Sequence, residues 1–242
     1  MLARATLAAL AALLLLAGSA AASSAAAPAA SRYALIQDSE FSGTTLGSKW
    51  TVYHGSPACC QSTWARSHAV VRGGRLVLEA TKADMTSAGV SLGHLNFLYG
   101  RVHVRMRMDP GLGIKMCALL WPQTGWPPEI DFAESSSSDA ARTQISSTLH
   151  YDASNTQIRT HLAIDFTHWH TFGVTWTPGL IRYTVDGRTW ATTRGAMVPS
   201  QPMHFGIQDT IGLSNGNGAG PDSTTPGTVG LHIDFVKIWR YR

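Results

Sequence analysis

Three carboxylates fall within six residues: Glu129, Asp131 and Glu134, in the stretch "PPEIDFAES". Two carboxyl groups flanking a sugar–sugar bond can cleave it, one attacking or activating water while the other protonates the departing oxygen. A separation of about 5 to 5.5 Å goes with a covalent glycosyl-enzyme and retained configuration, and a wider gap with inversion. Crowding acids together also raises at least one pKa, which supplies a protonated partner near neutral pH. A single acid here would ordinarily cap the turn after "WPP" or sit solvated at a strand end. Three together, flanked by Trp121 and Trp126, favour chemistry.

The acids alternate with Ile130, Phe132 and Ala133, so the element carrying them reads as a largely buried strand. Side chains on a strand alternate faces, which puts Glu129 and Asp131 together and sends Glu134 the other way. A β-bulge at Phe132 and Ala133 resolves the conflict, because one extra residue returns Glu134 to the face of the other two. Without it, the third acid is unrelated to the first two.

The rest of the chain is written in short strands. "GRLVLEA" (74–80), "GRVHVRMRM" (100–108), "CALLW" (117–121), "ISSTLHY" (145–151), "HTFGVTWT" (170–177), "LIRYTVDG" (180–187) and "LHIDFVKIWRY" (231–241) are β-rich runs separated by Gly, Pro, Asp, Asn and Ser. No repeat, linker or long amphipathic helical pattern interrupts them, which predicts a sandwich or barrel. In "GRVHVRMRM", Val102, Val104, Met106 and Met108 share one face, and Arg101, His103, Arg105 and Arg107 share the other. That polar face either meets solvent or lines a groove; an arginine-lined groove would suit an anionic, sulfated galactan. Asp186-Gly187 is a hairpin signal. "GLSNGNGAGPDSTTPG" (212–227) reads as a long loop able to form a rim or lid.

Residues 1–30 have the order of a secretory signal: "MLAR", an apolar run, then small residues that allow cleavage after Ala22 or Ala30. The apolar run is short for a span of about 20 residues, and no positive cluster follows it. The expectation is export, one domain over 31–242, and no stable membrane association after cleavage. A net charge of +4 without a basic run gives no support to nucleic-acid binding. The three cysteines leave two readings: a bridge from Cys117 to Cys59 or Cys60, or Cys117 as a small buried core residue.

"EIDFAE" resembles the E-x-D-x-x-E signature of family-16 glycoside hydrolases, in the bulged form of laminarinase-like members. The resemblance continues in order through "DSEFSGTTLGSKW" (38–50), "YGRVHVRMRM", "LLWP" with "GWPPEID", "LHY", "HWHTFGVTWTPGLIRYTVDG" and "HIDFVKIWRY". It implies an all-β, concanavalin-like jelly-roll sandwich of two antiparallel sheets with a concave substrate cleft. It also implies a monomeric, secreted, retaining endo-hydrolase of a β-linked polysaccharide, β-1,3- or mixed β-1,3-1,4-glucan as the first choice. Glu129 would be the nucleophile, Glu134 the acid/base, and Asp131 the residue that orients the nucleophile. Trp121 and Trp126 would offer flat faces to sugar rings, His150 would reach the acids, and Tyr99 and Arg105 would line the cleft. Gln208 stands where many relatives carry an Asn, which leaves the usual substrate preference open. Catalysis would need no cofactor; Glu40 and Asp234 match positions that hold a structural calcium in some relatives. The alternatives are a transglycosylase on the same scaffold and a non-catalytic carbohydrate-binding module.

Overall fold

A computed structural model describes residues 31–212 and 218–242. The expected leader (1–30) and residues 213–217 of the long loop lie outside the described residues. Among the described residues there are seventeen strands, one 3-10 turn (Arg66–His68) and no helix long and apolar enough to cross a membrane.

The first strands are β1 (Tyr33–Ser39), β2 (Thr51–Val52), β3 (Thr63–Trp64), β4 (Ala69–Arg72), β5 (Arg75–Thr81), β6 (Thr86–Ser87) and β7 (Gly89–Ser91). The long central ones follow: β8 (Gly100–Met108), β9 (Ile114–Pro122), β10 (Glu129–Glu134), β11 (Gln144–His150) and β12 (Gln157–Ala163). The last are β13 (His170–Thr177), β14 (Leu180–Val185), β15 (Arg188–Arg194), β16 (Met203–Ile211) and β17 (Thr228–Tyr241). They form two sheets. One has ten strands, ordered β15-β14-β13-β8-β17-β5-β6-β3, with β1 beside β17 and β4 beside β5. The other has seven, ordered β12-β11-β10-β9-β16-β7-β2. All pairings are antiparallel except β3 with β6. The expected jelly-roll sandwich is the observed architecture.

The period-two pattern places the core between the sheets. Val102, Val104, Met106 and Met108 of β8 are fully buried, as are Met116, Ala118 and Leu120 of β9 and Phe205 and Ile207 of β16. Each of these side chains other than that of Ala118 contributes about 1.5–3 kcal/mol by leaving water. Asp186 and Gly187 join β14 to β15 with φ of 49° and 78°, the left-handed pair that a tight two-residue hairpin requires.

One rim of the seven-stranded sheet is held by a buried cation. The Arg142 guanidinium donates to the carbonyls of Asp109, Gly111, Ile114 and Asp139, at 2.8–3.1 Å. Burial lowers its pKa to about 10, and the nearby Asp139 and Asp109 oppose that shift. These bonds pin the loop entering β9 to the loop that follows β10.

The cysteines pair differently from the cross-chain bridge considered above. Cys59 and Cys60, adjacent in sequence, are bonded to each other. Cys117 is a free buried thiol in mid-β9. Its Sγ points at Asp131, 3.1 Å from Oδ1.

Candidate active site

The bulge falls where the sequence places it. Asp131 pairs with Leu119 of β9, and the next pair is Ala133 with Ala118, leaving Phe132 as the extra residue. Phe132 and Ala133 both enter the core, and Glu134 comes out opposite Cys117. All three carboxylates therefore share the outer face of the seven-stranded sheet.

Cross-strand register arranges that face in rows, each carrying one acid. Glu129 pairs with His150, which pairs with Gln157, while Trp121 beside Glu129 pairs with His204. The Asp131 row runs Ser91, Gly206, Leu119, Asp131, Thr148, Arg159. The Glu134 row runs Gln208, Cys117, Glu134, Ser146, His161.

Each acid has its own partners. Trp126 Nε1 donates to Glu129 Oε2 at 2.7 Å. Asp131 Oδ2 lies 3.2 Å from His150 Nε2, and Asp131 Oδ1 accepts from the Cys117 thiol. Glu134 is held by Lys115 Nζ at 3.0 Å on Oε1, and by Arg159 Nη2 and Thr148 Oγ1, both at 3.2 Å, on Oε2. The Trp121 and Trp126 rings stack at 6.3 Å and 13°, with 39% and 45% of the residues exposed, a flat apolar platform next to Glu129.

The model described as "Glycosyl hydrolases family 16" matches residues 57–234. The chain belongs to glycosyl hydrolases family 16. It is a glycoside hydrolase, and catalysis in it needs no cofactor. Among similar proteins is a "Glucan endo-1,3-beta-glucosidase" of Cryptopygus antarcticus, 27% identical over 68% of this chain and 70% of that protein. The fold matches the catalytic domain of an endo-1,3-beta-glucanase (laminarinase) from Thermotoga petrophila, with a TM-score of 0.77, 21% identity, and 87% and 98% of the two chains covered. It matches an endo-beta-1,3-glucanase from Pyrococcus furiosus equally, with a TM-score of 0.77, 22% identity, and 87% and 95% covered.

In this family-16 enzyme the electrostatics divide the acids. Burial, then the charge and hydrogen bond of Asp131, push Glu129 well above the usual carboxylate range, with Trp126 opposing. The two carboxyls thus hold one proton between them more readily than either would alone. Burial pulls His150 down, but hydrogen bonds to Asp131 and Asn155 and the charges of Asp131 and Glu134 leave it raised. Its Nδ1 lies 2.5 Å from Asn155 Oδ1. With Nδ1–H donated to Asn155, the contact at Nε2 holds a proton either from an imidazolium or from Asp131. Glu129, Asp131 and His150 bring ligating atoms within 4.8 Å of one another, but those atoms are already joined by hydrogen bonds.

Other expected site residues divide sharply. Gln208 is in the cleft, on the Glu134 row. Arg105 is not: it sits on the outer face of the ten-stranded sheet, paired with Asp234 at 2.6 Å and lying over Trp169. Tyr99, with φ of 62°, packs edge-on against the buried Trp176 at 4.9 Å, away from the acids. The calcium pair does not fit a hard cation that needs six to eight oxygens. Glu40 is taken by Lys237 at 2.5 Å, and Asp234 by Arg105.

Sequence reasoning missed Lys115, Arg159, Thr148, Cys117 and Asn155, all of which touch the acids or His150. Tyr53 was missed too. Its hydroxyl lies against Gly206, where a Cβ would come within 2.7 Å of it, and burial raises its pKa to about 12. The absence of a side chain at Gly206 was the available signal, since glycine inside a strand marks a close approach.

Proposed function

We propose that this chain is an exported, monomeric, endo-acting retaining hydrolase of β-1,3-linked glucan. The observation that carries the reading is the row arrangement, which sets Glu129 and Glu134 two rows apart on one face with Asp131 between them. The names of the relatives supply the substrate class, and the leader-like residues 1–30 support export.

Glu129 attacks the anomeric carbon as a carboxylate, so the proton it shares with Asp131 must lie toward Asp131 and His150 at that moment. As the C–O bond breaks, Glu134 gives its proton to the leaving oxygen. A water then delivers a proton to Glu134 while its oxygen attacks the same carbon and releases Glu129. Inversion twice gives net retention. Trp121 and Trp126 carry the sugar on the Glu129 side.

Purified protein should shorten laminarin chains, with early products in the β configuration by NMR, and Glu129→Gln should abolish this. Full activity in Glu129→Gln overturns the mechanism. Products longer than the substrate favour transfer to sugar, and tight binding without cleavage favours a binding module.

A further inference from the structure

Beside Glu134, toward β12 and the start of β9, the cleft changes character. It opens into a cavity of about 550 Å³ whose lining includes Lys115, Arg159, His161, Gln157 and the serines at 135–138. Among the described residues that line it, Glu134 is the only carboxylate. Ser137 is 2% exposed, and its buried hydroxyl has no partner. Along β9 the side chains on this face run Trp121, Leu119, Cys117, Lys115. The aromatic platform therefore lies at the Glu129 end and Lys115 at the other, while Arg159, on the Asp131 row, reaches Glu134 from the β12 edge.

If Glu134 protonates the leaving oxygen, the departing sugar lies over the cations. Resting on the function proposed above, we infer that this end of the cleft is a subsite for a leaving-group sugar that carries an anionic substituent, a carboxylate or a sulfate ester.

Lys115 and Arg159 both use Glu134 as their counter-ion, at 3.0 and 3.2 Å, and the acid step requires Glu134 to be neutral. Protonation leaves two cations facing each other in a half-enclosed cleft. An anion on the leaving sugar replaces the lost charge, and a guanidinium with serine hydroxyls beside it is suited to either group. Anion binding and proton uptake by Glu134 then favour each other, reciprocally. While Glu134 is ionised, Lys115 is held as an ammonium: burial lowers its pKa, but Glu134 foremost, with Cys117 and Asp131, more than reverses that. Among the described residues, the charged and titratable groups around Glu134 are Lys115 and Cys117 on β9, Glu129 and Asp131 on its own strand, His150 on β11, and Arg159 and His161 on β12.

The test uses laminari-oligosaccharides of one length whose leaving-side glucose is unmodified, oxidised to glucuronate, or 6-sulfated. Wild type should cleave one or both charged forms with kcat/KM about tenfold above the neutral one. Arg159→Gln should bring the ratio near unity, and Arg159→Lys should restore part of it. The ratio of uronate to sulfate identifies the anion. Calorimetric binding of the same sugars to Glu129→Gln is read separately. Preference for the charged forms in binding, with no cleavage by wild type, would overturn the hydrolase reading and leave the subsite standing. Equal binding and equal turnover of charged and neutral sugars overturn the subsite.

Discussion

The outer faces of the two sheets both carry charged side chains on long central strands, and only one of them is a site. On β8 the alternation is unbroken, and Arg101, His103, Arg105 and Arg107 all point to solvent from the ten-stranded sheet. There the contacts are spread along the strand: Arg101 lies over Tyr33 at 4.4 Å and bonds Thr175, His103 packs on Trp239, and Arg105 and Arg107, which share the Trp169 indole, pair with Asp234 and Asp109 at 2.6 and 2.7 Å. On β10 the alternation is broken by one residue, and the charges converge on each other instead. Glu129 and Asp131 are 8% and 4% exposed, whereas Arg105 and Asp234 keep 39% and 32% of their side chains in solvent. Regular alternation disperses charge over a surface. A bulge, at the cost of a locally disrupted ladder, concentrates it.

The largest expected difference between the faces is catalytic. Glu134→Gln removes the proton donor but keeps the shape, so kcat should fall about 10²–10⁴-fold. Lys115 and Arg159 then lose their counter-ion, and a crystal structure or NMR of the variant should still show the bulge. Next comes Trp126→Phe, which keeps an aromatic ring and deletes the donor to Glu129 Oε2. A hydrogen bond to a charged group is worth about 1.5–3 kcal/mol, so kcat/KM should drop roughly 10- to 100-fold. An unchanged kcat/KM in Trp126→Phe would show that the indole serves only as a platform.

How far this division could be read in advance depends on what period two encodes. The sandwich, the core face of β8 and the bulge at Phe132 and Ala133 were legible, because alternation and its single failure are local. Which outer face would hold the cleft was not legible, and Arg105 was assigned to the wrong one. Period two says which residues share a face, and the chain path decides which sheet that face belongs to. Lys115 and Arg159 stayed hidden for the same reason. Each reads as an ordinary solvated charge, and they meet at Glu134 only because β9, β10, β11 and β12 lie side by side. Of the two readings of Cys117, the buried thiol is the one observed, and its partner Asp131 was not legible because it comes from the adjacent strand.

A smaller effect concerns stability. Glu129 has its folded pKa raised above the ordinary value of 4.5, so the folded state loses stability as pH rises from there toward the folded pKa. Glu129→Gln removes a buried charge that opposes folding. It should stabilise the protein by about 1–2 kcal/mol near neutral pH, or roughly 2–8 °C in Tm, with the gain vanishing below the ordinary carboxylate pKa. Calorimetric scans of both proteins from acid to neutral pH check this; a gain that does not grow with pH would remove the burial argument.

The smallest expected effect lies on the other face and decides whether the contrast holds. Arg105→Gln deletes an ion pair with Asp234 and a stacking contact over Trp169, both partly in water. Exposed pairs of this kind contribute about 0–1 kcal/mol, and an exposed cation–π contact about 0.5–1 kcal/mol. Tm should therefore fall by only a few degrees. Arg107 and Arg75 remain over the same indole, at 5.6 and 5.2 Å, so the ring keeps cationic neighbours. With the whole core between Arg105 and the acids, kcat/KM on laminarin should stay within about twofold of wild type. A loss comparable to that of Trp126→Phe would mean that the ten-stranded face also takes part in holding substrate, and the two faces would no longer differ in kind.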